Sequence, residues 1–290
     1  MTDVNPSAGA GTLTVVATSL GNAADLSPRA VAVLREADVI VAEDTRSARQ
    51  LLLASGVASP PRILSCFDAN EGARADEVAA LLAGGARVAL VSEAGTPLVS
   101  DPGYRIVTAA IAAGARVVPV PGPSALLAAL VAAGLPTDKF LFLGFPPRKT
   151  GARRRLFESV RTLGFTLVFY ESPMRVGATL ADLAAVLGGD RRACVARELT
   201  KPHEEILRDS VEALAQRYAT QRPLGEVTLV VAGAAEGAAA EDLDDDEVLE
   251  KAQRLIADGQ STSDAARALA EMTGRPRRDV YKLITSARDE

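Results

Sequence analysis

Five loops gather the residue types that bind and transform small molecules. They read Ser19-Leu20-Gly21-Asn22, Glu43-Asp44-Thr45-Arg46, Ser92-Glu93-Ala94-Gly95-Thr96-Pro97, Asp101-Pro102-Gly103 and Pro121-Gly122-Pro123-Ser124. A carboxylate there can accept a proton, and glycines let a ligand approach the backbone closely. Each loop but Asp101-Pro102-Gly103 directly follows a β-branched apolar run, and all five precede or enter a helical pattern. In a parallel sheet such loops share one edge, where ligands bind. The phosphate-cradling pattern G-x-x-x-x-G-K-[ST] is missing, and the first loop holds one glycine where a dinucleotide fingerprint needs three. Histidine occurs once, at His203, and Cys66 and Cys194 are far apart in apolar runs. No metal site is expected, and the cysteines read as reduced core thiols.

The elements that must position these loops follow from hydrophobic periodicity. Strands are expected at 12–18, 39–42, 63–66, 87–92 and 116–120, alternating with helices at 27–37, 45–55, 71–83 and 103–113. Ser27 and Pro28 open the first helix as cap and first residue. This is a mostly parallel sheet with helices on both faces. Pro119-Val120-Pro121-Gly122-Pro123 reads as a hinge. Beyond it helices at 124–133, 152–162, 173–187 and 210–219 alternate with strands at 139–145, 165–170, 193–196 and 226–232. The expected organisation is a flexible tail (1–11), an α/β lobe (12–121), a second α/β lobe (122–233), an acidic linker (234–246) and a helical C-terminal region (247–290). In that last region Ser261 and Asp264 form a capping box, Ala265, Ala266, Leu269 and Ala270 make an apolar face, Gly274 ends the helix, and Val280, Leu283 and Ile284 turn inward. Two short helices around Gly-Arg-Pro suit a helix-turn-helix or a plain helical appendage.

The chain has 290 residues, is 48% hydrophobic and 24% charged, and carries a net charge of −5. That suits a soluble α/β protein, here expected in the cytoplasm with no membrane segment and no export signal. The negative sum conceals separation of charge. Seven of the ten residues 241–250 are acidic, whereas Arg148, Lys149, Arg153, Arg154 and Arg155 place five cations in eight positions, and Arg275, Arg277, Arg278 and Lys282 form a second cluster. Such clusters are either solvated faces or phosphate contacts.

The five loops, together with Phe169-Tyr170-Glu171-Ser172, Ala196-Arg197-Glu198-Leu199-Thr200-Lys201 and Gly225-Glu226-Val227-Thr228-Leu229-Val230, stand in an order and spacing that resemble the ribosomal RNA small subunit methyltransferase I family, a branch of the tetrapyrrole-methylase superfamily. The likeness covers about 12–233, and the tail resembles that family's C-terminal helix-turn-helix region. Ser19, Ala23 and Glu93 depart from the family's usual proline, leucine and aspartate. The resemblance implies a two-lobed fold with a donor cleft between the lobes, S-adenosyl-L-methionine as methyl donor, small-subunit ribosomal RNA as partner, a homodimer, and 2′-O-methylation of a cytidine ribose at the decoding centre. By analogy, Leu20, Gly21, Glu93, Ala94, Gly95, Thr96, Ser124 and Ala125 bind the donor, with Tyr170, Met174, Ala196 and Val227 around its adenosine. Asp44 is expected to accept or orient the proton, with Arg46 and Lys201 holding phosphate or ribose, unless Asp44 and Arg46 merely pin their loop. Arg148, Lys149, Arg153, Arg154 and Arg155 are expected to contact RNA phosphates. Relatives that methylate tetrapyrroles or a modified protein histidine share the scaffold, and a donor-sensing DNA-binding regulator is the alternative outside enzymes.

Overall fold

The computed structural model describes residues 10–57, 61–221, 223–235, 243–273 and 275–287. The first lobe contains β1 (Thr12–Val16), α1 (Pro28–Glu36), β2 (Val39–Ala42), α2 (Thr45–Ala54), β3 (Arg62–Ser65), α3 (Glu71–Ala83), β4 (Arg87–Val91), α4 (Tyr104–Ala112) and β5 (Arg116–Val120). Its strands pair in the order β3-β2-β4-β1-β5, all parallel. Alternate strand residues supply two separate cores. Val39, Val41, Val88 and Leu90 pack under α3 and α4, while Ile40, Ala42, Ala89 and Val91 pack under α1 and α2. Strands buried on both faces read as unbroken apolar runs, which is why their positions were visible in the sequence. Ser27 caps α1 as expected, its Oγ accepting from Ala30 N at 3.1 Å.

Residues 1–9 of the expected flexible tail lie outside the described residues, but Gly11 is fixed. Its N–H donates to Leu82 O at 2.7 Å, its carbonyl accepts from Arg116 N, and a Cβ there would stand 2.1 Å from Ala86 O.

The second lobe comprises α5 (Ala125–Ala132), β6 (Phe140–Phe142), α6 (Thr150–Ser159), β7 (Thr166–Glu171), α7 (Val176–Leu187), β8 (Arg192–Arg197), β9 (Glu205–Ser210), α8 (Val211–Thr220) and β10 (Val227–Val231). The strand order is β6-β7-β10-β8-β9. Only β6 and β7 are parallel; the other three pairings are antiparallel. The strand β9 was not expected from the sequence. Its EILRDS composition is polar and only partly buried, as befits an edge strand. One face of this sheet carries α6, α7 and α8 around Phe157, Phe169, Leu180 and Leu183. The other carries α5, where Leu20 of the first lobe joins Ala129, Leu130, Val168 and Val230.

The third unit is a bundle of α9 (Asp245–Ala257), α10 (Thr262–Thr273) and α11 (Arg277–Ser286), closed on Val248, Ala252, Ala266, Leu269, Val280 and Ile284. Its first helix starts two residues before the expected boundary. Asp244 caps it reciprocally, accepting from Glu247 N at 2.9 Å while Glu247 accepts from Asp244 N at 3.0 Å. The Ser261–Asp264 pair is one-sided: Ser261 Oγ accepts from Asp264 N and donates to its carboxylate. Gly274, expected to end a helix, lies outside the described residues, as do 236–242 of the linker.

One expectation is corrected outright. Arg153 is no surface cation; it is 4% exposed and its Nε donates to Asp182 Oδ2 at 2.7 Å beneath α7. Arg154 reaches the other oxygen of the same carboxylate at 2.7 Å while staying half-exposed. Consecutive helical residues point about 100° apart, so one arginine of the run turns into the core and needs a buried counter-charge. Asp182→Ala strands Arg153 and is expected to cost about 3–5 kcal/mol of stability, read as a lower midpoint in chemical denaturation; a shift below ~1 kcal/mol would place the pair on the solvated surface after all.

Candidate active site

The connections that leave β1 and β4 run in opposite directions across the first sheet, so a crevice opens between their carboxyl ends. Backbone hydrogen bonds tie the loops there into one unit. Thr18 N donates to Gly95 O at 2.8 Å, and Ser92 Oγ donates to the same carbonyl at 3.3 Å. Thr96 Oγ1 donates to Pro123 O at 2.9 Å, joining the β4 loop to the entrance of α5. Gly95 has φ +79°, and a Cβ there would meet Leu20 Cδ2 at 3.0 Å. Glycine is therefore favoured both by the turn and by the close approach. Leu98 and Ser100 in this loop, and Glu198 and Thr200 across the lobe boundary, also take positive φ. Strain of this kind gathers where loop shape matters.

The second lobe closes the crevice into a cavity of about 350 Å³, within the range of small-molecule sites. Leu20, Ala94, Ala125, Phe145, Tyr170 and Val227 supply apolar wall, and Glu43, Glu93, Asp101 and Glu226 line it with carboxylates. Tyr170 is fixed from both ends. Its hydroxyl accepts from Leu126 N at 3.2 Å, and its ring packs edge-on against Phe142 with centroids 4.9 Å apart. Glu171, also on the wall, is buried and held by Ser172 N, Arg175 and Thr179. Burial pushes the Asp101 carboxyl up to about 6, helped by Glu43, Glu93 and Glu226; the single Ser92 hydroxyl proton, when it turns from Gly95 O to this carboxylate, lowers it. Burial also raises Glu43, with Glu93, Asp68 and Asp44 adding to it. Carboxylates held this close favour any cation that enters. Among the described residues no group of His, Cys, Asp and Glu has the arrangement of a metal site.

Residues 12–215 match the family model of tetrapyrrole (corrin/porphyrin) methylases, and residues 241–288 match that of the RsmI C-terminal HTH domain. The ribosomal RNA small subunit methyltransferase I of Mesorhizobium japonicum is 44% identical over 278 residues, covering 96% of this chain and 92% of its own. That of Mycobacterium tuberculosis H37Rv is 43% identical over 281 residues, covering 97% and 96%. The chain belongs to the ribosomal RNA small subunit methyltransferase I family. Among solved structures, diphthine synthase superposes with a TM-score of 0.61 at 18% identity, over 78% of this chain and 91% of its own. Uroporphyrin-III C-methyltransferase from Thermus thermophilus, complexed with S-adenyl homocysteine, gives 0.54 at 21% identity over 76% and 97%. At that identity the likeness speaks for the fold alone.

Of the residues that the resemblance assigns to the donor, Leu20, Glu93, Ala94, Gly95, Thr96, Ala125, Tyr170 and Val227 line the cavity in this member of the methyltransferase I family. Four others do not. Gly21 lies beneath Lys201, whose Cγ would be 2.3 Å from a Cβ at that position. Ser124 is the N-cap position of α5, beside the cavity. Met174 is 70% exposed outside it, and Ala196 is 1% exposed in the core with α5. Lys201 does not face the cavity either; its Nζ is held by Glu198 at 2.9 Å and Glu226 at 3.3 Å. Asp44 is exposed and caps α2, its Oδ1 accepting from Arg46 N at 2.6 Å and Ser47 N at 3.4 Å. Arg46 is exposed at the start of that helix. Sequence reading passed over Asp101 as a reacting group, although its Asp-Pro-Gly turn stood among the quoted loops.

The cap geometry separates two roles for Asp44. Asn caps helices as well as Asp does, so Asp44→Asn is expected to leave both stability and turnover near the parent's, whereas Asp44→Ala costs about 1 kcal/mol. A large loss of turnover in Asp44→Asn with unchanged melting would return the residue to the chemistry.

Proposed function

We propose that this chain transfers a methyl group from S-adenosylmethionine to the ribose 2′-hydroxyl of a cytidine at the decoding centre of small-subunit ribosomal RNA. Family membership carries the coarser statement, an S-adenosylmethionine-dependent methyltransferase acting on small-subunit ribosomal RNA. The observation that carries the chemistry is the acid-lined, half-apolar cavity at the strand-switch crevice. Its residues fit the donor, which joins a flat aromatic base to a sulfonium and bears net positive charge. Leu20, Ala125, Tyr170 and Val227 would take the adenosine, with Gly95 and Thr96 offering backbone close by; Glu43, Glu93 and Asp101 would face the cation. When bound, the donor supplies an activated methyl group whose loss leaves a neutral thioether.

The chain's own part is to orient the hydroxyl, exclude water and remove a proton. We assign the proton to an Asp101 carboxylate oxygen. Asp101 is the carboxylate most displaced toward neutrality in the cavity, and one that ionises near pH 6 is both charged and basic at pH 7. Glu43 and Glu93 hold the field that draws in the cation. Arg46 at the α2 start, and the exposed Arg148, Lys149, Arg154 and Arg155 just beyond Phe145 of the cavity wall, are suited to RNA phosphates, which orient the substrate without reading sequence. Lys201 acts through Glu226 and Gly21, tying the second lobe to the β1 loop. The apolar helix α5 leaves Leu127 and Val131 exposed at 49% and 75%, a face suited to a second copy of the chain.

Purified protein, unmethylated small subunits and labelled donor test the reading. One alkali-resistant linkage at a cytidine is expected; methyl on a base, or none on RNA, overturns it. Asp101→Asn should weaken the donor somewhat, as one of three carboxylates facing its cation, and should lower kcat at saturating donor by about 10²-fold or more; near-parental kcat removes Asp101 from proton transfer. With donor limiting, activity should rise with pH through about 6. Saturation with the cationic donor should move that rise to lower pH. The stability sign runs the other way. A carboxyl raised in the folded state favours folding while protonated and loses that advantage as pH climbs past its folded value. Asp101→Asn should therefore raise the melting temperature at pH 8 and leave it unchanged at pH 3. Val131→Glu should yield monomers in sedimentation if α5 pairs with a second copy.

A further inference from the structure

The edge of the second sheet farthest from the donor cavity carries a basic site that methyl transfer does not use. A cavity of about 540 Å³ opens among the starts of β7 and β8 and the end of β10, lined by Arg161, Thr162, Arg191, Arg192 and Asp190. The donor cavity lies at the opposite ends of these strands. The six residues of β7 or β8 put the two openings roughly 20 Å apart.

Arg191 is the anchor. Its Nη2 donates to Arg161 O at 3.2 Å. Its Nη1 is shielded from solvent and has no hydrogen-bond partner among the described residues. A buried guanidinium N–H without an acceptor is costly, so a small turn of the Arg191 side chain toward the cavity, where an oxygen anion can meet it, is favoured. Burial lowers the Arg191 pKa; Asp190 opposes the shift and Arg161 adds to it. Arg161 is shared with Glu158 at 3.0 Å, both half-exposed. Arg192 is exposed and enters no ion pair among the described residues. Among the residues that line the cavity three guanidiniums thus face one carboxylate, Asp190, while Glu158 pairs with Arg161 and Glu212 stands beside Gly189 outside the lining.

The site is also preformed. A Cβ on Gly233 would stand 2.4 Å from Gly164 C, so the loop before β7 and the segment after β10 are in backbone contact. Ala234 N donates to Leu163 O at 2.8 Å and Ala232 N to Arg192 O at 2.9 Å, fixing the backbone around the arginines. Little ordering remains to be done when a ligand arrives.

We propose that this arginine cavity binds a backbone phosphate of the RNA substrate, as an anchor remote from the methylated sugar. The proposal rests on the reading that the substrate is ribosomal RNA. Guanidinium forks match the paired oxygens of a phosphodiester, and Thr162 adds a hydroxyl donor. A large RNA particle reaching the donor cavity extends far enough to meet a surface roughly 20 Å away. The other anion within covalent reach is the chain's own acidic stretch, seven carboxylates in residues 241–250.

Arg191→Gln, Arg192→Gln and the double variant, in the full chain, are compared with the parent for binding of small ribosomal subunits between 50 and 200 mM salt. The double variant should bind about tenfold more weakly at low salt, and its log–log salt dependence should be shallower by about one to two. Calorimetric affinity for S-adenosylmethionine should stay at the parental value. Arg192 is exposed, so its single variant remains informative if Arg191→Gln folds poorly. Unchanged affinity and slope overturn the proposal. So does a lowered melting temperature with unchanged subunit binding, which would assign the site to the chain's own carboxylates. A parent that neither binds nor methylates small subunits condemns the functional reading instead, before any variant is compared.

Discussion

The carbonyl of Gly95 is the fixed point of this molecule. It accepts from Thr18 N and from Ser92 Oγ, and so holds the β1 and β4 loops together where the sheet's connections diverge. The next residue, Thr96, bonds Pro123 O and ties both loops to the first helix of the second lobe. Leu20, held by the same loops, enters the core of that second lobe. A backbone with φ +79° and Leu20 Cδ2 3.0 Å from any added Cβ favour glycine there. Everything that lines the cavity is positioned relative to this unit.

Charge is sorted across the molecule by distance. The carboxylates of Glu43, Glu93, Asp101 and Glu226 converge on the cavity, while Arg148, Lys149, Arg154 and Arg155 stay on the rim and Arg161, Arg191 and Arg192 on the far edge. A cationic small molecule and a polyanionic macromolecule thus meet surfaces of opposite sign, and salt over about 8–10 Å in ordinary buffers screens the exposed arginines from the far carboxylates. The net charge of −5 says nothing of that arrangement.

The first lobe was legible because its strands are apolar on both faces and its helices carry caps such as Ser27. Strand direction in the second sheet was not, because periodicity gives no partner: β8 and β10 read alike whether parallel or antiparallel. The polar β9 was invisible for the same reason that edge strands resist aggregation. Eight cavity residues were readable from loops and family likeness. Asp101 was not, since the pressure toward neutrality comes first from burial and then from Glu43 and Glu93 in one lobe and Glu226 in the other, all of which exist only on folding. Arg153 shows the opposite failure: neighbours in sequence form a cluster on paper, and the helix then turns one of them into the core.

Leu98, Ser100, Glu198 and Thr200 hold left-handed backbone that costs an L-residue about 1–3 kcal/mol each. These four positions lie in the two segments that flank the lobe junction, so the molecule keeps a reserve of conformational energy at its seam. Directed searches for heat tolerance would find glycine, asparagine and aspartate enriched at these places, and the gain would come with a seam less inclined to open.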